Sequence, residues 1–217
     1  NRNIFIGRSA GSAVTTSSEF NIIIGSGSVS ANDIGNSNVF VGGGNNAKAA
    51  LAETVGIGQS ALAGVSGNSN TAVGFSAGNA TNTAAEITVV GHGALRTVTG
   101  NSNTAIGKGV MGDGTGGGAS NTGVGARALQ GVSTGNQNTG VGKGSLQSMT
   151  TQSNNTAVGM QAGYKTTTNY NTYVGALAAE KQAGGSGGNT VVGYGAARGD
   201  SDLFSGSYNT VMGAYAL

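Results

Sequence analysis

Three segments carry the Gly-x-Ser-x-Gly spacing that can lift a nucleophilic serine on a sharp turn: Gly7 to Gly11, Gly74 to Gly78 and Gly131 to Gly135. Such an elbow acts only when a histidine and a carboxylate converge on the serine. The chain has one histidine, His92, and three unrelated copies of the motif, so each copy reads as a by-product of glycine-rich repetition. Gly-x-Gly-x-x-Ala at Gly56–Ala61 and Gly123–Ala128 lacks the alternating helices of a dinucleotide fold. Gly142-Lys143-Gly144-Ser145 lacks phosphate-loop spacing. Asp200-Ser201-Asp202 could offer two calcium ligands, but rolls that bind calcium need an aspartate in every turn, and this chain has four in all. That segment is expected to be a solvated loop. His92 follows a repeat glycine where other copies place Arg8, Lys108, Lys143 or Tyr194, which marks an outward, variable position. No catalytic, cofactor or metal site is expected, and the chain does not read as an enzyme.

What positions these residues is a repeat. Asn155-Thr156-Ala157-Val158-Gly159 returns as Asn70 to Gly74 and Asn103 to Gly107, with further copies from Asn121, Asn138, Asn171, Asn189 and Asn209. Looser copies begin at Asn3, Asn21, Asn38, Thr54 and Ile87. Thirteen closing glycines, from Gly7 to Gly213, are spaced by 16 to 20 residues, about 17 on average. A fixed short period of this kind is the signature of stacked repeats. The fold class is therefore all-β, a parallel β-solenoid or β-roll of about thirteen coils of ~17 residues in one repeat domain spanning 1–217. Units one to three are irregular, and units five to thirteen are regular.

Composition agrees. Glycine supplies 43 of 217 residues, yet 37% are hydrophobic and only 8% charged, so a regular core is possible where disorder would need the reverse. Proline is absent, leaving every backbone N–H free for a ladder. Zero cysteines exclude disulfides. Ten basic and eight acidic residues are scattered singly with no basic run, so nucleic acid is not expected as a partner. Membrane insertion is not expected either, because no apolar run of 18 residues occurs. Starting at Asn1 without an initiator Met or signal peptide, the sequence is expected to be a segment of a longer protein.

Within a unit, the second slot is Ile, Val or Thr and the fourth is Val, Ile or Met, two mostly β-branched positions on one face of a strand. The third slot points the other way and is mostly small, which suggests a close neighbour there and partial burial of both strand faces. The glycine (74, 107, 142, 159 and 175 among them) ends the strand and needs a positive φ or a close backbone neighbour. A second short strand or bend is expected around the alanine three residues later. The first-slot asparagines, among them Asn70, Asn103, Asn138, Asn155 and Asn171, tolerate left-handed backbone and could stack into a ladder at one corner. Thirteen coils at ~4.8 Å would make a rod about 60 Å long, with a core thin enough that self-association is expected. All six tyrosines lie at positions 164 to 215. Tyr164, Tyr170, Tyr194, Tyr208 and Tyr215, with Phe204, are candidate receptor contacts, although padding of the last coils explains them as simply.

The pattern Asn-Thr-Ala-Val-Gly-x-x-Ala-Leu, a Thr- and Gly-rich turn, then Asn-Thr-Ala-Val-Gly again resembles the 17-residue repeats of bacteriophage tail-fibre proteins, most clearly over Asn138 to Asn171. Related repeats form the heads of trimeric autotransporter adhesins. The resemblance implies a homotrimeric fibre of parallel β-rolls whose strands meet at the three-fold axis, and whose surface or tip touches a host-cell glycan or protein. It also implies other fibre or tail proteins as neighbours and a place in the virion tail. The alternative is a bacterial surface adhesin head, extracellular on the cell. A third reading is ice binding by the threonine row at 71, 88, 104, 122, 139, 156, 172, 190 and 210, which requires those threonines to face outward. A polysaccharide depolymerase ranks below these, because it needs paired carboxylates and they are sparse.

Overall fold

The computed structural model describes residues 2–12, 14, 17–29, 34–45, 51–79, 83–182, 186–199 and 206–216. Thirteen three-residue strands, from β1 (Ile4–Ile6) to β13 (Thr210–Met212), form one parallel sheet in sequence order, one strand per coil of a β-solenoid. Register follows the repeat. Thr156, Ala157 and Val158 of β10 (Thr156–Val158) lie beside Thr139, Gly140 and Val141 on one side and Thr172, Tyr173 and Val174 on the other. The expected solenoid is present, with glycines 74, 107, 142 and 159 in one column.

That column explains the glycines. Gly142 and Gly159 have φ of 126° and 138°, a region closed to side chains, and the next coil presses on them. A Cβ on Gly142 would lie 2.5 Å from the Gly159 carbonyl oxygen, and one on Gly159 would lie 2.5 Å from that of Gly175. Both reasons for glycine anticipated from the sequence hold together at the same residue.

The strand faces differ from expectation. The middle residue is buried in β2 through β13 and the outer two are buried in none, so the inward neighbour of the third slot is the coil's own core. The Thr and Val rows face outward, and a single chain leaves them uncovered. A coil only ~17 residues around has a narrow core, in which some large side chains face glycine. Gly140 faces the Leu129 side chain from the preceding coil, 3.2 Å from where a Cβ would sit, and Gly163 faces the Tyr173 ring at 2.4 Å. Large and small therefore alternate between third slots and turn positions, keeping the core filled. The Tyr173 hydroxyl donates to Gln182 Oε1 at 2.8 Å, and burial pushes its pKa well above the ordinary tyrosine value.

Beyond the glycine there is no second strand among the described residues. The chain makes a turn with two left-handed residues, such as Gln161 (φ 54°) and Gly163 (φ 58°), whose amides still bond between coils. Gln161 N–H donates back to Lys143 C=O at 2.8 Å and Gly163 N–H donates forward to Ala178 C=O at 2.9 Å. Non-glycine residues in this conformation cost about 1 kcal/mol each, which these inter-coil bonds offset.

The asparagine ladder exists, with a correction. The left-handed residue is the one before each ladder asparagine, such as Gln137 (φ 57°) or Asn154 (φ 60°). The asparagine is buried and bonds between coils. Asn138 Oδ1 accepts from the N–H of Asn155 at 3.0 Å and from Asn155 Nδ2 at 3.3 Å. Asn138 Nδ2 in turn donates to Asn121 Oδ1 at 3.0 Å and to Gln152 C=O at 2.9 Å. One acceptor facing the next coil and one donor facing the previous coil is a combination that an uncharged Asn supplies at this length. Thr54 and Ile87 interrupt the row, and their N–H groups still donate to Asn38 and Asn70, both at 3.1 Å.

Gly159→Ala is expected to cost about 3 kcal/mol or more in urea unfolding, since φ and the neighbouring carbonyl both oppose it. Gly109→Ala, left-handed but with no atom within 4 Å of the added methyl, is expected to cost about 1 kcal/mol. In the core, Gly163→Leu and Tyr173→Ala are each expected to cost about 3 kcal/mol alone. Combined, they reproduce the native combination of Leu62 at a turn position with Ala72 in the next third slot, and a double-mutant cycle should show them offsetting each other by more than about 1 kcal/mol.

Candidate functional site

The fold sorts side chains onto two edges flanking the sheet. One edge is the column just before the ladder asparagines, where left-handed backbone turns each side chain outward. Most coils place serine, glutamate or glutamine here. The last three place Tyr170 (φ 63°), Gly188 (φ 80°) and Tyr208 (φ 59°). With glycine in the middle coil the Tyr208 ring leans over the backbone, so that a Cβ on Gly188 would sit 2.6 Å from its Cδ1. The result is an open cleft of about 750 Å³ between Tyr170 and Tyr208, floored by Gly187 and Gly188. Thr168, Asn169, Ser186 and Ser207 supply hydroxyl and amide groups to its walls.

Tyr170 and Tyr208 are 67% and 85% exposed, so both rings present open faces to the cleft. An aromatic plate beside hydroxyl and amide donors suits a pyranose ring, whose C–H face packs on the ring while its hydroxyls find partners. Asn169 is partly committed, since its Oδ1 accepts from Ser153 N–H at 2.8 Å. It belongs to a second, exposed asparagine column, with Asn136 and Asn101 accepting from Ala119 and Ala85 N–H at 2.7 and 3.0 Å.

The other candidate rings are not at this cleft. Tyr194 and Tyr215 lie on the edge past the repeat glycines, where their centroids are 5.2 Å apart in an edge-to-face pair. A hydrogen bond to Tyr194, which favours the neutral hydroxyl, raises the Tyr215 pKa above its ordinary value. Arg198 lies near them, its Nε 2.8 Å from Glu180 Oε2. Tyr164 is half-buried, and Tyr173 is core. Phe204, Asp200 and Asp202 lie outside the described residues.

His92 is exposed and stacks on Phe75, with centroids 5.2 Å apart and planes 12° from parallel. Among the described residues it has no hydrogen bond to Ser9, Ser76 or Ser133. Among those same residues no group of three His, Cys, Asp or Glu could hold a metal ion, and no helix is long and apolar enough to cross a membrane. Comparison with protein-family models, curated proteins and solved structures gives no match.

The clustering of tyrosines was visible in the sequence. Their division between two edges was not, because it depends on whether a ring falls before the asparagine or after the glycine. That offset could have been read from the repeat: Tyr170 and Tyr208 share one slot, while Tyr194 and Tyr215 occupy neighbouring slots after their glycines.

A Tyr170→Ala/Tyr208→Ala double variant is expected to fold with unchanged melting and to lose about tenfold or more in binding to a surface glycan, as judged by glycan-array titration. Tyr194→Ala should leave that binding within about twofold.

Proposed function

We propose that the chain is the structural and receptor-binding shaft of a bacteriophage tail fibre. In this reading it assembles as a homotrimer and presents the Tyr170–Tyr208 cleft to a host-cell glycan or protein. The observation that carries the proposal is the outward face of the sheet. Ile57, Val90, Ile106, Val158 and Val174 form one apolar row along it, and a Thr row runs beside them from Thr71 to Thr210. Ile106 and Val158 are 39% and 41% exposed in the single chain. A contiguous apolar strip along most of a rod has too large an area for a solitary soluble chain, and sister chains would cover it. The three-fold order and the place in a virion come from the tail-fibre resemblance of the repeat. The Tyr edge would remain outside such an interface, because its rings project beside the sheet and not from it.

A second reading has its own observation. The threonines face outward, as an ice-binding face requires, while the slot two residues on holds Val, Ile or Met where such faces usually pair a second Thr. A trimer interface would hide that row, so the two readings separate on oligomeric state.

Light scattering of the purified chain is expected to give the mass of three copies of 20.9 kDa, resistant to heating in detergent. Ile106→Lys/Val158→Lys should release monomers with unchanged circular dichroism. A wild-type monomer with thermal hysteresis would replace the fibre reading by the ice-binding one.

A further inference from the structure

In sequence the cations are dispersed, but the coil period brings four of them, with His92, onto one short stretch of the edge past the glycines. Backbone bonds fix the alignment: Gly109 N–H donates to His92 C=O at 3.1 Å, Arg127 N–H to Lys108 C=O at 3.0 Å, and Gly144 N–H to Ala126 C=O at 3.0 Å. His92, Lys108, Ala126 and Lys143 therefore occupy one slot on four successive coils. Arg127 adjoins Ala126, and Arg96 comes from the turn below. All five charged or titratable side chains are exposed. A hollow of about 210 Å³ lies among His92, Arg96, Lys108 and Arg127, with Gln130 and Asp113 at its rim.

Charge on this stretch is unbalanced. Asp113 is its one carboxylate among the described residues, and it accepts from Gln130 Nε2, whose amide oxygen accepts from Gln147 Nε2 at 2.8 Å. Glu53 and Glu86 lie on the opposite edge, in the slot before the asparagines, where they accept from the Ser69 and Ser102 hydroxyls at 3.3 and 2.9 Å. Around these coils the two edges thus carry opposite signs, which the net charge of +2 does not reveal. Four exposed cations within four coils, roughly 15 Å along the axis, form a positive line along this edge. Such a line attracts a polymer that repeats its anion at short intervals.

We propose that the His92–Arg96–Lys108–Arg127–Lys143 edge binds a linear acidic polysaccharide bearing a carboxylate on successive sugars. Lys108, Arg127 and Lys143 meet consecutive carboxylates, while Gln130 is placed for ring hydroxyls. Nucleic acid is the poorer fit. Single strands need a run of aromatic platforms, and the two rings at this end of the edge, Phe75 and His92, are stacked on one another. Duplex binding draws on more phosphate contacts than four cations provide. The site is separate from the tyrosine cleft and stands whether or not the chain is a fibre.

The test is a titration of the full chain with oligogalacturonate at low and at physiological salt. Saturable binding that weakens with salt is expected, reduced about tenfold or more in Lys108→Gln/Arg127→Gln. Lys165→Gln/Arg2→Gln, which removes equal charge elsewhere, and Tyr170→Ala/Tyr208→Ala should both bind as the wild type does. The fully methyl-esterified oligomer should not bind. The proposal is overturned by absence of binding, by equal binding of the methyl ester, by equal loss in the Lys165/Arg2 variant, or by tighter binding of a charge-matched single-stranded oligonucleotide at the same salt. Both substituted cations are exposed, and matching circular dichroism of every variant separates lost binding from lost fold.

Discussion

The close approach of successive coils at the glycine column is the constraint on which the rest of the structure depends. At Gly159 the carbonyl of the next coil occupies the space a Cβ would need, and φ of 138° excludes a side chain independently. This contact ends the three-residue strand, starts the turn and sets the coil spacing. With the spacing set, the buried asparagines can reach one another, and each side-chain amide closes the gap between backbones that the strand ladder leaves at that corner. The turn amides then join the same inter-coil ladder, so nearly the whole circumference of a coil is hydrogen-bonded to its neighbours.

The same constraint governs the core. In this narrow core the third slot Tyr173 lies against Gly163 at the turn position of the preceding coil, and the glycine third slot Gly140 admits Leu129. The variation between repeats is thus correlated, which explains how units with different residues share one outline. It also leaves the outer Thr and Val rows with no role inside the chain.

Much of this was legible in the sequence. The thirteen-strand order, the glycine column and the asparagine ladder follow from the period and from which residue types recur at fixed offsets. The orientation of the strand was less legible. Alternation says that Thr156 and Val158 share a face and that Ala157 opposes them, but not which face is interior. Small third slots suggested a crowded contact, and the crowding proved to be the coil's own interior. The exposed asparagine column at 101, 136 and 169 was less legible although it keeps a constant offset of two before the ladder asparagines, because other coils place Ala85, Ala119, Ser153 or Gly187 there. The cation stretch was invisible for a related reason: Arg96, Lys108, Arg127 and Lys143 are 12 to 19 residues apart, and only the solenoid turns that interval into adjacency.

The central claim is that buried asparagine side chains, together with the glycine column, join each coil to the next. Proton exchange of side-chain amides by NMR tests it most directly. The Nδ2 protons of Asn121, Asn138, Asn155 and Asn171 should be strongly protected, while the exposed Asn101 and Asn136 exchange near the rate of free asparagine. Uniformly fast exchange at all six would contradict the account.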